Sequence, residues 1–537
     1  MNAPRLVETD RGATVFAANR YLYSRRSPVD RPARIAGETP VLERCLYVIP
    51  SPLLGYGLDV LAGRIPESSR ILALETSQEL FGLCCPSVSA DLLNHPRITW
   101  ARLDDIESLH AVVREIGLWR FRRIRRVDLN AGADLDAARY SEFLRFLHSD
   151  LENYWRNRHA LGRFGRHWIR HLLANLADIA MSEDVFRPIT DYVVPGIPVV
   201  VGAGPSLDAG IPFLRDNRSR LTVLAADTAL PALLGSGIRP DAVVVLETQS
   251  WNLLDFHGAI GSGIPVMADI TAYPGTLRGT GGPCYLFSST FADLNALDRL
   301  ETAGARPPSI PALGSVGLAA VDIALSSPAP TVLVTGLDFC YAPAQSHARG
   351  SSVHRWQTYR RRRLEPHPGF ERAMGRPRTE ARSADGRRVT TDAVLSSYAD
   401  LFRDRFAASG RLRILEPGGI DLGVPMISAS EAAGLSPSPG RIRRCDGITG
   451  PNPDGARSFL AEESAGLKEA IAAWDAYAGG AGRADQVGRA LQGLDEIFCD
   501  FPDEPPLPKT DDAFLVRAIR RCRAVLRYLE RVGAVSR

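Results

Sequence analysis

Cysteine is scarce in this chain: eight residues in 537 (Cys45, Cys84, Cys85, Cys284, Cys340, Cys445, Cys499 and Cys522), with one adjacent pair and no CxxC. That excludes a small disulfide scaffold and leaves no zinc-ligand spacing, so the thiols read as buried and reduced. Neither sign of charge is in excess. The 64 basic and 61 acidic side chains give a net +3, which argues against bulk attraction to nucleic acid or to a membrane surface. No uncharged apolar stretch reaches about 18 residues, so no membrane-spanning helix is expected. The opening MNAPRLVETDRGATVF lacks the apolar core of a secretory signal, and the expected location is the cytoplasm. There is no GK[ST], hence no P-loop lysine, and no repeat of solenoid length.

What is present is ordinary for globular domains: 45% apolar and 23% charged residues. At about 150 residues per domain, three or four domains are expected. Residues 1 to 40 are mixed and Arg-rich, without a period. Residues 45–50 (CLYVIP) read as a buried strand, followed by the turn Leu54-Gly55-Tyr56-Gly57, a helix from Leu58, and a second strand over 70–75 that ends in an acid 18 positions after Gly57. A crossover of this kind suits a nucleotide whose ribose the acid accepts from, or a packing domain with no ligand; with two glycines only, the second reading is favoured. Residues 137–182 carry apolar spacing at three and four and read as helix.

Residues 190–345 alternate apolar strands with helices. Strands are expected over 193–201, 221–226, 242–246, 264–270, 284–287 and 331–335, and helices over 230–234 and 315–325. Near-continuous apolar strands mean a parallel sheet covered on both faces. From 351 to 390 the pattern breaks, with eleven Arg (355, 360–363, 372, 376, 378, 382, 387, 388) against four acids (365, 371, 380, 385) among Pro and Gly. This reads as a mobile loop, able to close over an anionic donor or to stay solvated. A helix follows over 391–406, and 413–415 is an edge strand before Pro417-Gly418-Gly419. Helices are expected at 458–477, 484–498 and 512–532, the last two separated by a proline-rich link over 501–509. The fold class is therefore α/β: a Rossmann-like central parallel sheet, a smaller N-terminal α/β domain and a helical C-terminal domain. The boundaries are 1–135, a helical linker 136–189, 190–430 with the Arg-rich loop 350–390, and 455–537.

Four constellations carry chemistry. Gly202-Ala203-Gly204-Pro205-Ser206-Leu207 stands where a strand hands over to a helix, as a phosphate site or as a tight turn. The acids Asp227, Glu247 and Asp338 close three strands, where ligands bind in open parallel sheets; they could hold ribose hydroxyls or a divalent ion. Gly314-Ser315 opens a helix, as a second anion-facing N-terminus or as a simple cap. His347 follows Asp338 on a polar loop and could serve as general base, although a lone loop histidine is more often inert.

The stretch VVGAGPSLD…LAADTALPALLGSGIRPDAVVVLE (200–247) resembles the core motif of the MptE-like domain family, which includes archaeal 6-hydroxymethylpterin diphosphokinases and the motility-associated factor (Maf) flagellin glycosyltransferases. GSVGLAAVDIAL (314–325) and TGLDFCYAPAQSHARG (335–350) resemble the Maf pattern, as do LYSRRSPVDRPAR (22–34), VTTDAVLSSYADLF (389–402) and ILEPGGIDL (414–422). The likeness runs to about residue 425. It implies a sialyltransferase-like fold and transfer of a pseudaminic- or legionaminic-acid-like nonulosonic acid from a CMP-activated donor to Ser or Thr of flagellin or another protein acceptor. Carried over, Gly202, Gly204, Pro205 and Ser206 contact the phosphate with Asp227 and Glu247 nearby, Gly314 and Ser315 join the binding set, and Asp338 and His347 flank the reacting centre. The motifs name no cofactor; Mg2+ is a candidate for the acids, and whether a metal is needed stays open. The chain departs from the pattern at Glu247 (Asp in the family), Leu337 (Gln) and Phe339-Cys340 (Leu-Ala). The alternatives are an ATP-dependent pterin diphosphokinase and a non-catalytic motility or assembly factor.

Overall fold

The computed structural model describes residues 3–182, 184–289, 295–342, 345–364, 377–444, 447–448, 450–499, 501 and 507–533. Cys445, residues 365–376 of the Arg-rich segment and residues 502–506 of the proline-rich link lie outside them. The chain divides at Ala160 and Leu161 into two compact units.

In the first unit, β1 (Arg5–Thr9), β2 (Gly12–Ala17) and β3 (Arg20–Tyr21) form an antiparallel meander, where the sequence shows no period because burial does not alternate along β2: the adjacent Thr14 and Val15 are both buried. Then β4 (Cys45–Pro50), β5 (Arg70–Glu75), β6 (Ile98–Arg102) and β7 (Arg123–Arg126) make a parallel sheet in the order β6-β5-β4-β7. Alternation along β4 and β5 sends Leu46, Val48, Leu72 and Leu74 to one core with Tyr140 and Phe143, and Cys45, Tyr47, Ile49 and Ile71 to the other. Glu75 is filled from within. It accepts from the Ser51 hydroxyl (2.8 Å), the Tyr140 hydroxyl (3.0 Å) and the Thr76 and Ser77 amides (2.9 Å each). This carboxylate is 2% exposed and its hydrogen bonds are internal to the unit, the arrangement expected of a packing domain.

One helix, Ala137–Met181, runs for 45 residues across the unit boundary. In the second unit, β8 (Phe186–Pro188), β9 (Val193–Val194), β10 (Ile197–Val201), β11 (Leu221–Ala226), β12 (Ala242–Val245), β13 (Val266–Asp269), β14 (Cys284–Ser289), β15 (Ser309–Ile310), β16 (Val332–Thr335), β17 (Arg378–Arg382), β18 (Arg388–Asp392), β19 (Leu412–Leu415) and β20 (Met426–Ile427) follow in turn. Gly196 and Pro198 split the expected 193–201 run into β9 and β10, and β9 pairs with Gly440–Arg441 instead of joining the large sheet. That sheet is parallel throughout, in the order β15-β14-β13-β12-β11-β10-β16-β19-β20, with β8 also on β14. From β10 the chain steps outward strand by strand to β15. It then returns through the helix Val316–Leu325 to the other side of β10.

Both faces are buried, which is why the strands read as unbroken apolar runs. Val199, Val201, Val223 and Ala225 meet the helix Leu207–Asp216, while Val200, Leu224 and Val244 meet Val316–Leu325 and Ala393–Phe406. The helices Pro453–Ala478, Ala484–Leu491 and Asp512–Arg531 share one apolar core with Val243, Val266 and Leu286, so they cover a face of the sheet. The expected helix over 484–498 stops at Leu491, and Asp495–Phe498 is a separate 3-10 turn past Gly493.

The Arg-rich segment is not the uniform loop its composition suggests. Ser352–Tyr359 is helical and β17–β18 is an antiparallel hairpin. The hairpin escapes a periodicity search because β17 is exposed and polar at four of its five positions and burial along β18 rises toward its end instead of alternating. Its second strand takes Thr391 and Asp392, so the helix expected from 391 begins at Ala393.

Candidate functional site

The order of the sheet reverses between β10 and β16, and ligands of open parallel sheets bind beyond the carboxyl ends of strands at such a reversal. Here the 202–206 turn leaves β10 and the 336–338 segment leaves β16. The two are stitched together: the Gly202 amide donates to Thr335 O (2.8 Å) and the Gly204 amide to Gly336 O (2.7 Å). Glycine is required by this approach. A Cβ on Gly202 would overlap the Gly336 carbonyl oxygen, one on Gly204 would stand 2.6 Å from an Asp338 carboxylate oxygen, and Gly336 has φ +71°. Asp338 accepts from the Ser206 amide (2.7 Å) and from the Ser206 hydroxyl. The protein's own carboxylate thus occupies the anion position at the start of the helix Leu207–Asp216. Burial pushes the Asp338 carboxyl up to about 6, the Ser206 bonds oppose this, and nearby Asp208 adds to it.

Beside Asp338 opens a cavity of about 450 Å³. Its floor is Pro205, Ser206 and Asp338, one wall is Cys340, Tyr341 and the Pro417-Gly418-Gly419 turn after β19, and the other is the hairpin, through Arg378, Arg387, Arg388 and Thr390. The hairpin is anchored to the exit of β16 by the Tyr341 amide on Thr390 O (2.8 Å) and by the buried Thr391 hydroxyl on Phe339 O (2.8 Å). Gly419 lets the third exit loop close on Asp338, whose carbonyl takes the Ile420 amide (2.9 Å).

The other strand-end acids form a second cluster and do not line this cavity. Asp227 accepts from the Thr228 amide (2.7 Å) and Asn252 Nδ2 (2.8 Å); Asn252 Nδ2 also reaches Asp255 (3.2 Å), which takes the Ser352 hydroxyl. Burial, then the Asp255 charge, raise Asp227 to about 7. Glu247 accepts from the Gln249 amide (3.0 Å). Among the described residues no three His, Cys, Asp or Glu side chains are grouped to hold a metal ion. His347 is half-buried on a loop fixed by the Ala348 amide on Ala203 O (2.7 Å) and by Asp208, which accepts from Gln345 (2.9 Å) and the Arg349 amide (2.8 Å). Burial lowers its pKa, which favours the neutral ring, but it is not in the cavity wall. Gly314 and Ser315 precede the helix Val316–Leu325, Ser315 without a side-chain cap bond, and neither lines the cavity.

Residues 170–343 match the family model described as 6-hydroxymethylpterin diphosphokinase MptE-like. The chain carries an MptE-like domain. An uncharacterised protein of Treponema pallidum (strain Nichols) is 30% identical over 351 residues, 65% of this chain and 61% of that protein. A second from the same organism is 33% identical over 87 residues, 16% of this chain and 40% of that protein. The chain therefore spans about three fifths or less of the length of the curated relatives it matches. In fold, the chain is similar to the structure of MAf glycosyltransferase from Magnetospirillum magneticum AMB-1, with a TM-score of 0.58 and 15% identity, covering 99% of this chain and 89% of that one.

The MptE-like span contains β10 through β16, hence the glycine turn, Asp227, Glu247 and Asp338. It ends before the hairpin and the 417–419 turn, which complete the cavity. Sequence reasoning flagged the arginines as a segment but named none of Arg378, Arg387, Arg388, Cys340 or Tyr341 as site residues. The available signal was the position of 378–392 and 417–419 between β16 and the strands that extend the sheet past it. Among the described residues no helix is long and apolar enough to cross a membrane.

Proposed function

We propose that this protein is a glycosyltransferase that moves a nonulosonic acid from a CMP-activated donor to a Ser or Thr hydroxyl of flagellin, in the cytoplasm. The observation that carries the reading is the cavity at the reversal point of an MptE-like sheet, lined by Asp338 and by Arg378, Arg387 and Arg388. The fold-level likeness to a MAf glycosyltransferase supports it. In the proposed reaction the acceptor oxygen bonds to the anomeric carbon, the bond from that carbon to the phosphate oxygen breaks, and CMP leaves with the electron pair. The guanidiniums offset the charge gathering on CMP, and the Asp338 carboxylate stabilises the positive charge developing on the sugar. This reading assigns His347, whose neutral ring burial favours, as the receiver of the acceptor proton.

Incubation with CMP-pseudaminate or CMP-legionaminate and flagellin should release CMP and add the sugar mass to flagellin. Absence of release with both donors, using flagellin from a strain that glycosylates it, would overturn the reading. The description of the matched family favours a second reading, pyrophosphoryl transfer from ATP to a hydroxymethylpterin; AMP formation from ATP and 6-hydroxymethyl-dihydropterin would select it.

A further inference from the structure

The first part of the Arg-rich segment does not line the cavity and carries a different surface. The helix Ser352–Tyr359 is fixed at its start: the Ser351 hydroxyl accepts from the His354 amide (3.2 Å), the Ser352 hydroxyl donates to Asp255, and Arg355 Nη2 donates to Pro231 O (3.2 Å). From Arg355 to Leu364 the chain then holds five arginines (355 and 360–363) and no carboxylate. All five are exposed. Three large apolar side chains stand among them and face solvent: Trp356 is 43% exposed, Tyr359 92% and Leu364 91%. Arg360 lies over the Trp356 ring, 4.6 Å from guanidinium carbon to centroid. The carboxylates near the helix belong to other elements and are engaged there: Asp255 with Ser352 and Asn252, Asp227 with Asn252, Glu247 with the Gln249 amide, and Asp208 with Arg349 (3.5 Å). Further along the sequence, outside the described residues, Glu365 and Glu371 are matched by Arg372 and Arg376, so the charge of 355–364 is not cancelled along the chain.

Exposed apolar side chains are ordinary when they stand singly. Here three stand among five cations within ten residues, which is the composition of a surface that meets a bilayer. Aromatic rings settle at headgroup level, a leucine enters the acyl boundary, and arginines reach phosphate oxygens while their stems lie on apolar ground. We infer that residues 355–364 are a docking surface for an anionic phospholipid membrane, one that holds the protein against the bilayer without crossing it. Charge selects this occupant: near an anionic surface each arginine strengthens binding about fivefold. Exposure selects it over a folded protein. Tyr359 and Leu364 are almost fully exposed, a shape that a fluid bilayer accommodates and a folded partner must match with a cavity of its own. Leu364 selects it over single-stranded nucleic acid, whose bases reward stacked rings and not an aliphatic chain. This surface is independent of the transfer reading.

The test is co-sedimentation of the full chain with vesicles of phosphatidylcholine and with vesicles of phosphatidylcholine mixed with phosphatidylglycerol. At low salt the parent should pellet with the mixed vesicles and stay in solution with phosphatidylcholine alone, and added salt should release it. The combined variant Arg360→Gln, Arg361→Gln, Arg362→Gln, Arg363→Gln should bind the mixed vesicles about a hundredfold more weakly, with the melting temperature of the parent because these side chains are exposed. Arg31→Gln with Arg34→Gln, exposed arginines of the helix Asp30–Glu38, should pellet as the parent does. Mixed vesicles should shift tryptophan emission to the blue, and Trp356→Phe should lose that shift. A parent that stays in solution with the mixed vesicles, a fourfold arginine variant that pellets as well as the parent, or a blue shift that survives Trp356→Phe would overturn the inference. Retention of the parent by poly-uridylate or by polyglutamate, but not by the mixed vesicles, would overturn it in favour of a nucleic acid or an acidic protein.

Discussion

At the scale of single residues, the strand-end acids show how burial sets charge. Asp227 is 3% exposed and its carboxyl is raised from its ordinary 3.8 to about 7, first by desolvation and then by Asp255. The unfolded chain releases this proton near 4 and the folded chain near 7. Between those values the fold holds the extra proton, so this group makes stability fall as pH rises across that window and level off above it. Asp227→Asn removes the titrating group and keeps the oxygen that takes the Thr228 amide. Its urea midpoint should lose less between pH 5 and pH 7.5 than that of the parent; equal slopes would show that Asp227 is not the group that titrates. The same residue also shows a limit of reading by motif. A strand-ending acid is visible in sequence, but whether it faces ligand or protein is decided by Asn252 and Asp255, which lie 25 and 28 positions downstream and reach it only through the turn after β12.

At the scale of elements, the hairpin and the helix that follows it act together. Asp392 ends β18, caps the helix Ala393–Phe406 by accepting from the Val394 and Leu395 amides (2.9 Å each), and takes the Tyr341 hydroxyl (2.8 Å). Asp392→Ala removes a helix cap that is 1% exposed and frees a tyrosine at the cavity wall. The expected cost is about 1–2 kcal/mol, read as a lower urea midpoint, together with weaker CMP binding because the ribbon is displaced. A variant with a lower midpoint but parental CMP affinity would show that the ribbon does not depend on this cap. Helices and buried strands of this chain were legible because their period matches their burial. The strand 221–226 and the helix 137–182 fall within a residue of their observed limits. The hairpin was not legible, because an exposed polar strand and a partner buried only at Thr391 and Asp392 have no period to read and are specified by what they dock against.

At the scale of the second unit as a whole, the sheet and the C-terminal helices are joined by charge as well as by apolar packing. Arg299, on the helix Asn295–Thr302, donates to Glu463 (2.7 Å) and Glu496 (3.3 Å), whose side chains are 1% and 3% exposed. Burial and the neighbouring Glu463 push the Glu496 carboxyl well up, and Arg299 opposes this. Arg299→Met leaves two buried carboxyls without their cation, at a cost of about 3–5 kcal/mol near neutral pH. The loss should shrink at pH 5, because burial and Glu463 favour the protonated form of Glu496 and a protonated carboxyl needs no cation. Thermal melts of parent and variant at pH 5 and pH 8 measure it; a loss independent of pH would mean that the guanidinium acts through packing alone.

The sequence by itself determined the class of the fold, because parallel strands buried on both faces must be apolar throughout and the helices between them must carry one apolar stripe. It also determined where Gly202, Gly204 and Asp338 stand, at the ends of two strands. Only the tertiary structure decided that those two strands are neighbours, that Asp338 fills the anion position of the glycine turn, and that arginines some forty to fifty residues further on line the same cavity. Strand order is fixed by how the helices cover the two faces of the sheet, and such non-local contacts leave no period in the chain.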